Sequence, residues 1–143
     1  MRAAWIASRR HLRRAPFLIV LGLGWLAYGS ATVQDPRYGT SRGLASITRY
    51  IPMDVLGWVW VICGAVAVLA GLFGRWCSTA SAAGFTALAT PAALWGAAYT
   101  RAWADGGYPS AAGAAAAWTA FAIGIFLVSG MTDPPPRQGV IRR

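Results

Sequence analysis

The sequence predicts an all-α protein, an integral membrane bundle of four transmembrane helices with a short amphipathic interfacial segment. The first observation behind this is the placement of charge. Four charge-free intervals, 15–34, 55–74, 76–100 and 106–132, run 20, 20, 25 and 27 residues. About 20 helical residues cross a hydrocarbon core roughly 30 Å thick. All 13 basic and all four acidic side chains lie outside these intervals. The second observation is composition. Hydrophobic residues make up 57% of the chain and charged residues 12%, against roughly 25% charged in an ordinary soluble domain. Four spans use up most of 143 residues and leave no room for a separate soluble core, so 1–143 reads as a single membrane domain.

Residues 1–15 form a basic leader holding Arg2, Arg9, Arg10, Arg13, Arg14 and the single His11. Ala3, Trp5, Ile6 and Leu12 suit a helix lying on the membrane surface. The first span is read as 16–33, with Pro16 in a first turn that needs no amide donor. A rival reading makes this segment a cleaved signal peptide, with an apolar core over 17–27 and small residues at Gly29, Ser30 and Ala31. The loop after it turns at Asp35 to Gly39. Leu44, Ile47 and Ile51 then recur at helical spacing opposite Arg42, Ser46 and Arg49, which predicts an amphipathic segment in the interface.

The second span, 52–73, opens at Pro52, and Asp54 sits where a carboxylate favours the positive end of a helix, paired with Arg49. Gly74 to Ser78 makes a tight turn. The third span, 79–100, is rich in Ala, Gly and Thr; Pro91 should kink it and free the Ala87 carbonyl. The fourth, 110–131, halts at Asp133, followed by the Pro-rich basic tail 132–143. With four spans, the leader, Arg75 and the tail place nine Arg on one side, while Arg37, Arg42, Arg49 and Arg101 place four on the other. That imbalance puts both termini in the cytoplasm and the chain in the cytoplasmic (inner) membrane as a multi-pass protein.

The formal net charge of +9 is concentrated beside apolar spans. It therefore points to a bilayer with anionic headgroups rather than to nucleic acid. Cys63 and Cys77 lie 14 residues apart, about 21 Å along a continuous helix, too far for an internal disulfide. Both read as small apolar filler.

Helices associate in lipid through close backbone approach. The fourth span repeats Ala112, Ala116, Ala120 and Gly124, and the third offers Ala89, Ala93 and Ala97, with Ala92 and Gly96 beside them. These helix-packing residues are expected to form either a seam within the chain or a homo-oligomer seam. Tyr50, Trp58, Trp76, Trp103 and Tyr108 fit interface anchors. Trp25, Trp60, Trp95 and Trp118 lie deeper, as bulk packing or as the lining of an aromatic pocket.

No catalytic, cofactor-binding or metal site can be read from the residues. One His and two distant Cys do not make a metal site or a Ser-His-Asp triad. A phosphate-binding loop needs the Lys that this chain lacks. No ionisable residue falls at membrane depth, where pumps and membrane enzymes place theirs. The hydroxyls Thr86, Thr90, Thr119 and Ser129 can bond helix carbonyls.

The stretch from Gly24 to Gly29, with Asp35-Pro36-Arg37, the run Ser41 to Leu44, Ile51-Pro52, Gly57 to Trp60, Gly84-Phe85 and Ala102-Trp103, resembles small four-span membrane proteins of actinobacteriophages and actinobacteria. The exclusive use of Arg over Lys and Asp over Glu fits a GC-rich genome of that kind. The resemblance implies a non-enzymatic, holin-like or lysis-accessory protein acting by self-assembly in the membrane. The alternative is an accessory or scaffold subunit of a larger membrane complex, with the 41–51 segment and the tail as contact elements.

Overall fold

The computed structural model describes residues 14–74 and 78–131. Among them every regular element is helical: α1 (Arg14–Gln34), α2 (Tyr38–Gly43), α3 (Ala45–Thr48), α4 (Met53–Phe73), α5 (Ser78–Ala104) and α6 (Ala111–Gly130). The leader before Arg14, the turn at Arg75 to Cys77 with its anchor Trp76, and the tail from Thr132 with its stop at Asp133 lie outside the described residues.

Three of the helices, α1, α4 and α6, are long and apolar enough to cross a membrane. Their outer faces carry Val20, Leu23, Ile62, Leu69, Phe126 and Leu127, each more than half exposed. Apolar surface of this extent suits hydrocarbon rather than water. The fourth long helix, α5, has 27 residues and is about 40 Å long. Most of its large side chains point inward, Leu94 and Trp103 excepted, and its exposed face is mostly Ala and Thr. Phe85, Leu88, Trp95 and Tyr99 are buried, while Thr86, Thr90, Ala93, Ala97 and Thr100 face out.

The most extensive helix contact joins α1 to α4, followed by α5 to α6 and then α4 to α5. The bundle is therefore two tight helix pairs laid side by side. At one end, Arg14 of α1 reaches the last carbonyls of α6, donating to Ser129 at 3.3 Å and to Met131. A cation there offsets the negative end of the helix. The same guanidinium lies 6.0 Å from the Phe85 ring of α5, so one side chain ties three helices together.

At the other end, α2 and α3 fold across α5. Leu44 is fully buried and Ile47 packs against the core, whereas Ile51 is exposed. The sequence sends this apolar face to the lipid interface; the structure turns Leu44 and Ile47 toward the bundle instead. The reason is Gly43, where any Cβ would strike the Tyr99 ring. The Tyr99 hydroxyl also donates to the Gly39 carbonyl at 3.4 Å. Arg42 and Arg49 remain exposed, with Arg42 lying 5.9 Å from the Tyr38 ring and 5.7 Å from the Tyr108 ring.

Local signals explain the helix ends. Pro52 is the N-cap of α4, and Asp54 sits in its first turn. Arg49 and Asp54 form no ion pair. The pair among the described residues is Arg101–Asp105 at 3.3 Å. After α5 the chain reverses at Gly106, whose φ of 70° is the left-handed conformation that favours glycine at a helix end. Pro91 lies inside α5 without ending it.

Candidate functional site

The features that could carry function are the two helix seams and the aromatic core between them. In the α1–α4 seam, glycines recur every seven residues: Gly22 and Gly29 on α1, and Gly57, Gly64 and Gly71 on α4. The helices run antiparallel, with Gly22 opposite Gly64 and Gly29 opposite Gly57. A Cβ at Gly64 would lie 2.6 Å from the Gly22 carbonyl oxygen and 2.8 Å from the Leu26 amide. One at Gly29 would lie 2.7 Å from the Gly57 carbonyl oxygen. Backbone meets backbone along this line, and a seven-residue period is the repeat of helices that wrap gently around one another.

The α5–α6 seam is built differently. The two helices touch as the sequence suggests, but not through the stripe it suggests. Ala112, Ala116 and Ala120 are exposed, and Gly124 is only partly covered. The face of α6 turned inward is Ala111, Ala115 and Ile125, joined by the partly buried Trp118 and Ala122. These positions alternate steps of four and three, which follows the helix around its partner. A strict step of four drifts away from it, so the Ala112 stripe ends on the opposite side of α6. On α5, Ala89 packs against the core, while Ala93 and Ala97 are exposed. The helices come close at Gly96, one of the positions the sequence sets beside the Ala stripe, where a Cβ would lie 2.8 Å from the Thr119 hydroxyl and 3.1 Å from the Thr119 amide.

Between the seams, Trp25, Tyr28, Trp60, Trp95, Trp118 and Phe121 converge from four helices. Trp60 is central. Its ring centroid lies 4.7 Å from that of Tyr28, 4.9 Å from Trp25, and 5.1 Å from both Trp95 and Trp118. The pairs are tilted or edge-on, the arrangements that ring quadrupoles favour. Two of the indoles use their N–H groups across helices. Trp95 donates to the Tyr28 hydroxyl at 3.0 Å, and Trp25 donates to the Leu88 carbonyl at 3.1 Å. Leu88 follows Ala87, the residue whose carbonyl Pro91 leaves without its helical donor. The Trp60 indole N–H is fully buried and has no hydrogen-bond partner.

The remaining polar groups bond locally. Thr32, Thr90, Thr100 and Ser129 donate to the Tyr28, Thr86, Gly96 and Phe126 carbonyls at 2.7–2.9 Å. Tyr50, Trp58 and Trp103 are exposed at the end that α2 and α3 cover, and Tyr108 is half-buried beside Arg42. Cys63 is a free thiol. No three His, Cys, Asp or Glu side chains converge among the described residues. The glycine seam and the convergence of the tryptophans are the features that sequence reasoning missed. The seven-residue glycine period was the available signal for the first; nothing in one sequence announces the second. Comparison with known protein families, curated proteins and solved structures finds no match.

Proposed function

We propose that the chain is a non-enzymatic inner-membrane protein of four spans, with both termini in the cytoplasm, that acts by self-assembly in a holin-like or lysis-accessory role. The observation that carries this reading is the uncovered outer face of α6. Only 17% of its apolar stretch is buried, against 39% for α4, and that face presents Ala112, Ala116 and Ala120 outward. A smooth small-residue surface facing lipid suits a second helix, since close backbone approach drives association there. In this reading α5 is the fourth span; its large rings Phe85, Trp95 and Tyr99 are buried in the bundle, and Thr90 and Thr100 on its exposed face bond carbonyls of their own helix. The resemblance to small four-span proteins of actinobacteriophages supports the lysis role.

The test joins assembly to activity. With Cys63 and Cys77 replaced by Ser, Ala116→Cys should crosslink copies of the chain in membranes, and a pulse of expression should collapse the host membrane potential. Crosslinking without loss of potential would leave assembly standing and refute the holin-like role. Absence of crosslinking would refute assembly through α6.

A further inference from the structure

We propose that the outer groove between α5 and α6 seats one anionic phospholipid, with an acyl chain along the groove and the phosphate on Arg101. The groove has a volume of about 590 Å³, within the range of roughly 300–1,000 Å³ of ligand-sized pockets. Ala93 and Ala97 of α5 face Ala122 and Ile123 of α6 across it, and Thr100 and Arg101 stand at one end. Its floor is the tight Gly96–Thr119 approach, which holds the helices together while the small side chains beside it leave the space open.

Shape and charge together select the occupant. The lining is small and mostly apolar, Ala93, Ala97 and Ala122 with Ile123, which suits a single methylene chain lying along it. The apolar run ends at a guanidinium where α5 itself ends, as a lipid tail ends at its headgroup. Arg101 is available for this. Its side chain is 70% exposed, and in its pair with Asp105 Nε lies 3.3 Å from Oδ2. Exposed pairs of this type contribute little, and the other guanidinium donors suit a phosphate. Asp105 opposes the anion, so it sets the strength of the site without creating it.

The inference rests on α5 crossing the bilayer as proposed above, and is independent of self-assembly. The full-length chain is reconstituted in nanodiscs of phosphatidylglycerol and phosphatidylcholine, released, and weighed by native mass spectrometry. The expected result is one phosphatidylglycerol retained per chain. Arg101→Gln should lower the preference over phosphatidylcholine about tenfold, the scale of one charge-assisted contact. Asp105→Asn should raise it, and Ala97→Phe, at an exposed position, should expel the lipid with helicity unchanged. Unchanged retention in Arg101→Gln or Ala97→Phe overturns the proposal. Loss of dimer rather than of lipid in Ala97→Phe also overturns it, in favour of a second copy. Water-side labelling of Leu94→Cys separates the other failure, since a labelled thiol would show that α5 lies outside the bilayer.

Discussion

Replacing Gly64 by Ala tests whether the α1–α4 seam holds this bundle together. The added Cβ would sit 2.6 Å from the Gly22 carbonyl oxygen, 2.8 Å from the Leu26 amide and 3.0 Å from the Leu26 Cγ. Two of these three neighbours are backbone atoms, so no rotamer change relieves them. Restoring a separation of 3.4 Å from the carbonyl requires the helices to open by about 0.8 Å. A gap of roughly 0.5–1 Å forfeits a quarter to a half of each dispersion contact along the seam. Against this stands the helix propensity gained by Ala over Gly, up to about 1 kcal/mol. Overpacking costs about 1–3 kcal/mol; with two backbone atoms in the way the cost falls in the upper part of that range, which leaves a net loss of up to about 2 kcal/mol. Gly24→Ala is the matched control, because a Cβ there meets nothing within 4 Å and only the propensity gain remains. Thermal or denaturant unfolding of the detergent-solubilised protein should rank Gly24→Ala at or above the parent and Gly64→Ala clearly below it. Equal stability of the two variants would refute the backbone-contact account of the seam.

The two faces of α6 should respond oppositely to bulk. Ala115→Ile, on the buried face, should destabilise the single chain by about 1–3 kcal/mol, while Ala112→Ile and Ala120→Ile should leave unfolding unchanged and, in the Ala116→Cys chain, weaken crosslinking between copies. Within the aromatic core, Trp25→Phe and Trp60→Phe remove similar volume, but only Trp25 also loses a hydrogen bond. Trp25→Phe should therefore cost about 0.6–1 kcal/mol more in the same unfolding assay. Leu44→Ala, at a fully buried position, should cost about 2–3 kcal/mol and increase hydrogen exchange across α2 and α3.

The helices were legible because their signals are local. Charge-free length, Pro52 before α4 and Pro16 in the first turn of α1 act within a few residues. The faces were harder to read. An Ala repeat every fourth residue is a strong pattern on paper, yet Ala112, Ala116 and Ala120 point away from α5 because the fold uses the alternating steps through Ala111, Ala115, Trp118, Ala122 and Ile125. In a segment almost wholly of Ala, both faces look alike. The glycine seam was written in the sequence at a period of seven, but scattered glycines hide it until the partner helix is known. The inward turn of Leu44 depends on Tyr99, 55 residues away, and no reading confined to the 41–51 segment could supply it.

The aromatic core bears on how anything could pass through the membrane here. Trp60, Trp95, Leu88 and Ile125 are among the largest fully buried side chains, and the rings around Trp60 sit at contact distance. Among the described residues, the middle of a single copy is thus filled by packed side chains rather than by a lumen for ions and water. If copies of this chain open a passage, its walls must be the outer faces of several protomers, and its bore must scale with the number that gather. Leakage would then depend steeply on surface density and remain silent below a threshold. A protein built this way would act as a timer set by its own accumulation.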